Sequence, residues 1–201
     1  MTDASLPREL YEIGGVFIHG KDKDGNVMLF CRTKYSSFPR VAQNAMERAN
    51  YYIAYKVLEI GLLEDNDCGW IMVIDFTDTK PTQFDPQMSF SLLKMLHYMP
   101  AGLKRILLFN LPWYGKPLLN LILSLVPSEW RKIVRIVNLE QILTIIPNEN
   151  LPLFFQFPDA KYENEVPNEA KPLDEIDLEI FGLKPKDKKV FKKYLEKMQN
   201  L

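Results

Sequence analysis

Residues 96–138 read LHYMPAGLKRILLFNLPWYGKPLLNLILSLVPSEWRKIVRIVN. Two apolar runs in this stretch, 105–110 and 132–137, are short and nearly continuous, the pattern of strands buried on both faces. Between them, residues 113–126 predict a helix, with Gly115, Pro117 and Pro127 around the apolar part. Seven of the nine residues from 118 to 126 are Leu, Ile or Val. A helix apolar on every side is either buried all round or faces something greasy that comes and goes.

Working outward, the same alternation continues. Upstream, residues 69–76 (GWIMVIDF) predict another buried strand, and 90–98 a helix ended near Pro100. Residues 42–60 contain neither Pro nor Gly, which predicts a helix stopped at Gly61. Before it, 14–20 and 27–32 flank an Asp24-Gly25 turn and predict a β-hairpin. Downstream, 140–146 predicts a short helix. Alternating strands and helices imply a mixed, mostly parallel sheet flanked by helices, an α/β fold. Residues 132–137 are expected to be a third central strand.

After Phe157 the composition changes. Residues 159–179 hold eight acidic residues against two lysines, which predicts an extended segment laid on the surface or partly disordered. From Lys184 the sign reverses. Val190, Phe191, Tyr194, Leu195 and Met198 recur at helical spacing among seven lysines. That is an amphipathic basic helix. The expected division is 1–157 as one α/β domain, and 158–201 as an acidic segment and basic helix packed on or beside it.

Composition excludes several classes. The 201 residues carry a formal net charge of −1, so overall charge offers nothing to nucleic acid. Cys31 and Cys68 are too few for a disulfide framework and suit a reducing compartment. No segment reads as a signal peptide, and no apolar run approaches the ~20 residues of a membrane span. The expected location is cytoplasmic, peripheral to a membrane.

The order of these pieces resembles the CRAL-TRIO (Sec14-like) lipid-binding domain. The resemblance covers roughly 14–155 and rests on KDKDGNVMLFCR (21–32), GWIMVIDFTDT (69–79) and the 96–138 stretch. Within the last, Met99-Pro100, Asn110-Leu111-Pro112 and Lys132-Ile133 match family features, as does IIPNENLP (145–152). Within the family, the chain resembles motile-sperm-domain proteins that carry this domain. Three departures stand out. Only about thirteen residues precede the first expected strand, where the family has a helical subdomain. Phe154-Phe155-Gln156 replaces the usual Gly-Gly. Ala101 stands where phosphatidylinositol-transferring members have Glu, although the matching Lys132 is present.

The resemblance implies an apolar lipid cup closed by a gate helix, with no catalysis and no cofactor. Expected gate residues are Leu118, Leu119, Leu121, Ile122, Leu123, Leu125 and Val126. Ile71, Val73, Ile106 and Leu108 are expected to floor the cavity. Arg105, Arg131, Lys132 and Arg135 are the expected headgroup or membrane contacts, with Trp113 and Trp130 flanking the gate. The partner is then a phospholipid or other hydrophobic ligand. The alternative is a non-catalytic scaffold for a protein partner that has lost lipid exchange.

Other signals point to packing. Asp75-Phe76-Thr77-Asp78-Thr79 resembles a phosphatase acid motif, but the second Asp is one position late, and a capped polar turn is expected. His19 and His97 are too few for a metal site. There is no nucleophile elbow, phosphate loop or dinucleotide fingerprint.

Overall fold

A computed structural model describes residues 1–63, 69–83, 94, 102–126, 128–157, 160 and 165–201. Apart from Lys94, the helix expected over 90–98 lies outside the described residues, as do the Met99-Pro100 pair, Ala101, Cys68, His97 and Pro127.

Five strands form one sheet in the order β1-β2-β3-β4-β5. They are β1 (Val16–Lys21), β2 (Val27–Arg32), β3 (Trp70–Asp75), β4 (Leu103–Phe109) and β5 (Val134–Val137). The first pair is antiparallel and the others are parallel. The Asp24-Gly25 turn closes the hairpin as expected. Gly25 takes φ 82°, and the buried Asp22 carboxylate accepts hydrogen bonds from the amides of Asp24 and Asn26 at 3.0 and 2.8 Å. Every residue of β3 is buried, which explains its unbroken apolar run.

The helices are α1 (Arg8–Ile13), α2 (Gln43–Leu63), α3 (Lys116–Leu125), α4 (Ser128–Ile133), α5 (Leu139–Ile145), α6 (Leu178–Phe181) and α7 (Lys188–Gln199). Two expectations are corrected. Lys132 and Ile133 close α4 rather than opening a strand, and β5 is a four-residue edge strand rather than a central one. The apolar run there packs on one strand neighbour only, a difference that periodicity does not carry. Helix α2 also runs through Gly61 to Leu63, since one glycine costs a helix only ~1 kcal/mol.

The two faces of the sheet are filled differently. On one, Phe17, Phe30, Phe109, Phe154 and Phe155 pack with Ile71, Val73, Leu107 and α5. Ring centroids there are 5.2 Å apart for Phe17–Phe30 and 4.6 Å for Phe109–Phe155. The Phe154-Phe155 pair is therefore core on this face. On the other face, Leu29, Met72, Ile74, Ile106 and Leu108 meet Ala54 and Val57 of α2. The N-terminal half of α2 belongs to a separate cluster, in which Ala42, Ala45, Met46 and Ala49 pack with Leu6, Ile13, Phe191, Tyr194, Leu195 and Met198. One helix thus bridges two clusters.

The segment after Phe157 returns to the body. The Arg8 amide donates to the Lys171 carbonyl at 2.7 Å, and the Leu173 amide to the Glu9 carboxylate. Asp174 then bridges Lys188 and Lys192 at 2.9 and 2.7 Å, which holds α7 alongside α1.

Candidate functional site

Where the two clusters along α2 separate, the protein forms a partly open hollow of about 240 Å³. Its sheet wall is Leu29, Cys31, Ile74, Ile106 and Leu108. Met46, Ala49, Asn50 and Ile53, spaced by three and four on α2, form a second wall. Helix α3 supplies the third, and the chain ends supply the fourth through Leu6, Leu10, Ile13 and Tyr194.

The geometry of α3 is two-sided. Leu118, Leu119, Ile122, Leu123 and Val126 line the hollow. Leu121 and Leu125 point outward and are 51% and 59% exposed. No residue of α3 is fully buried. The helix follows a single 3₁₀ turn, Trp113–Gly115, with Pro117 at its start, where a missing amide costs nothing.

The strand wall differs from expectation at β3. Ile106 and Leu108 face the hollow, but Ile71 and Val73 lie on the opposite, solid face. Register decides this. Ile106 and Leu108 stand opposite Met72 and Ile74, and paired residues share a face, so Ile74 is the β3 residue that lines the hollow. Ile71 pairs with Arg105 instead.

That pairing also relocates Arg105. Its guanidinium bonds Asp22 at 2.9 Å and Asp24 at 2.7 Å, so it secures the hairpin turn rather than meeting a headgroup beside α3. Arg131 is exposed and donates to the Val126 carbonyl at 3.3 Å, just past the end of α3. Lys132 is exposed on α4. Arg135 is exposed on β5, but its strand partner is Leu107, which places it on the solid side.

Charge is scarce in the hollow. Arg32 and Glu47 are its only lining residues with a formal charge among those described. The Arg32 guanidinium lies 3.9 Å over the Phe154 ring, 5.0 Å over the Tyr35 ring and 3.9 Å from the Asp75 carboxylate, so it is already engaged where it meets the hollow. Burial raises the Asp75 carboxyl above the usual carboxylate range, against the pull of Thr77 and Arg32. Asp75 accepts the Thr77 amide at 2.8 Å, the capped turn expected there. Burial alone pushes the Cys31 thiol up to about 12. No group of His, Cys, Asp and Glu among the described residues is placed to hold a metal ion. No described helix is long and apolar enough to cross a membrane.

Sequence reasoning missed the lining of β2, α1, α2 and α7. The alternation Leu29, Cys31 and the 46–49–53 spacing were signals for two of them. The contribution of Leu6, Leu10 and Tyr194 had no local signal, because it depends on the two chain ends meeting.

Fold and hollow define a class: a mixed-sheet α/β domain solid on one side and holding an apolar compartment on the other. The chain belongs to the CRAL/TRIO domain family, whose model matches residues 11–156. Domains of this family bind lipids and are generally non-catalytic. Among solved structures, the chain is similar to one titled "Crystal structure of Sfh5", with a TM-score of 0.49 and 12% identity. The match covers 62% of this chain and 49% of that one, so this chain spans about half its length.

Proposed function

We propose that this domain binds one hydrophobic molecule in the hollow under α3 and exchanges it with membranes, α3 acting as a mobile gate. The observation that carries the reading is the partly open apolar compartment roofed by an apolar helix with no fully buried residue. A helix held by a few inner side chains can swing without breaking a core. Gly115 and Pro117 stand at its N-terminal end as the hinge.

Chemistry favours an uncharged guest portion. With Arg32 already engaged by Phe154, Tyr35 and Asp75, the compartment offers an anionic headgroup little compensation. Each buried methylene contributes ~0.8 kcal/mol, so a hydrocarbon chain needs no polar anchor. At about 240 Å³ the hollow falls below the roughly 300–1,000 Å³ of drug-sized pockets. It suits a single chain, and a bulkier lipid requires α3 to move outward.

The outer side of α3 supports membrane contact. Trp113, Pro117, Leu121 and Leu125 recur every four residues and are all exposed, Trp113 at 80%. Exposed Lys116, Arg131 and Lys132 flank this stripe, and each basic residue near an acidic lipid surface contributes ~1 kcal/mol.

The small volume also favours a second reading, a protein-interaction scaffold that no longer exchanges lipid. One experiment separates them. Native mass spectrometry and organic extraction of the purified protein are expected to release one hydrophobic molecule per chain. A protein that carries none, and takes up none from vesicles, is a scaffold.

A further inference from the structure

We infer that Tyr194 of the C-terminal helix is the end wall of the hollow and sets the length of guest it accepts. The inference rests on the proposed reading of the hollow as a guest compartment.

Helix α7 lies beyond residue 156, where the family match ends, yet it reaches the compartment. It buries Phe191, Tyr194, Leu195 and Met198, an i, i+3, i+4, i+7 face. Of these four, only Tyr194 lines the hollow. The other three fill the cluster formed with α1 and the first turns of α2. The hollow therefore runs from the sheet cluster, where Leu108 and Trp130 lie, to the terminal cluster, where Leu6 and Tyr194 lie.

The phenol ring is held in place at both ends. Its hydroxyl donates to the Tyr35 carbonyl at 2.6 Å, and the Tyr35 ring lines the hollow beside it. On the helix side, Phe191 stacks on Tyr194 with centroids 5.7 Å apart. Gln199 donates to Glu12 at 2.9 Å, and Lys188 and Lys192 pair with Asp174. These contacts tie α7 to α1 and to the returning segment, so the ring cannot swing aside as the side chains of α3 can. A fixed aromatic plate at the end opposite a movable roof is a ruler: α3 governs entry and Tyr194 governs depth.

Removing the plate lengthens the compartment past the ring toward Phe191, which stacks behind it and does not itself line the hollow. Each further methylene admitted tightens binding roughly four-fold. The test displaces a hydrophobic fluorescent dye from the full chain with straight-chain alcohols of increasing length. Wild type is expected to gain affinity with length up to a limit. Tyr194→Ala moves that limit to longer chains, and Tyr194→Trp moves it to shorter ones. Leu195→Ala, a buried neighbour outside the lining, lowers stability and leaves the limit where it was. If Tyr194→Ala does not fold, Tyr194→Leu replaces it and the tryptophan variant carries the opposite arm. An unmoved limit in folded variants overturns the inference while the guest compartment stands. Wild type that binds neither dye nor any of the alcohols overturns both.

Discussion

A single side chain reports how well the hollow is shielded from water. Cys31 sits half-buried on the compartment face of β2, and desolvation lifts its thiol from 9.0 to about 12. Three pH units mean about a thousandfold less thiolate near neutral pH, and the thiolate is the nucleophile. In a Cys68→Ser background, an anionic disulfide reagent at pH 8 is expected to modify Cys31 at least a hundredfold more slowly than a free thiol. Bound guest slows it further. Modification at the free-thiol rate in the folded protein would mean that the hollow gives no such shielding. The same shift sets a pH dependence. The native thiol keeps its proton where the unfolded chain has lost it, so its contribution is complete below pH ~9 and is lost as pH rises toward 12. Sequence was least legible at this scale. In β3 both alternations are apolar, so Ile71 and Val73 looked as fit for the compartment as Met72 and Ile74; only the register with β4 distinguishes them. Arg105 was misplaced for the same reason, since its face and its acidic partners are set by a hairpin about eighty residues earlier.

At the level of the element, composition spoke more clearly. The hairpin, the buried central strands and the apolar helix between two strands could all be read from periodicity and turn residues. That local patterns agree with the fold along 103–126 explains why the family could be recognised from that stretch. β5 was misjudged because an edge strand four residues long carries the same apolar pattern as the start of a central one. Helix α3 is apolar round most of its circumference: an inner stripe adjoins an exposed outer stripe, and a polar strip of Lys116, Asn120 and Ser124 takes the remaining side. The inner stripe and the outer stripe have separable consequences. The double variant Leu121→Ser, Leu125→Ser removes apolar area that is already half in water, so stability should change by less than ~1 kcal/mol. Binding to vesicles containing acidic lipid should fall at least about ten-fold, since each leucine inserted into the interface contributes ~1.5 kcal/mol or more. Cosedimentation with such vesicles measures it, and the basic share should weaken as salt is raised. Unchanged binding by a folded double variant would take the membrane role away from α3.

For the molecule as a whole, the decisive property is the asymmetry of the sheet: close-packed phenylalanines on one side, a void on the other. Void-lining atoms lack partners, so an empty compartment leaves dispersion energy unrealised and a guest recovers it. Ligand linkage converts that into a measurable increment. At a free guest concentration of 100 times Kd the folded state gains ~2.7 kcal/mol, roughly 5–10 °C in Tm for a chain of this size. The two faces then respond oppositely to substitution. Ile71→Ala on the solid face opens a cavity where none existed and should cost ~2–5 kcal/mol, while the increment from guest survives. Leu108→Trp on the compartment face adds side chain into the void, so the empty protein should lose little stability or gain some. The increment from guest should disappear, because the new indole occupies the space the guest would fill. Thermal melts of delipidated protein, with and without the same guest, make both comparisons. A Leu108→Trp variant that still shows the full wild-type increment would mean that the stabilising guest binds elsewhere on the protein.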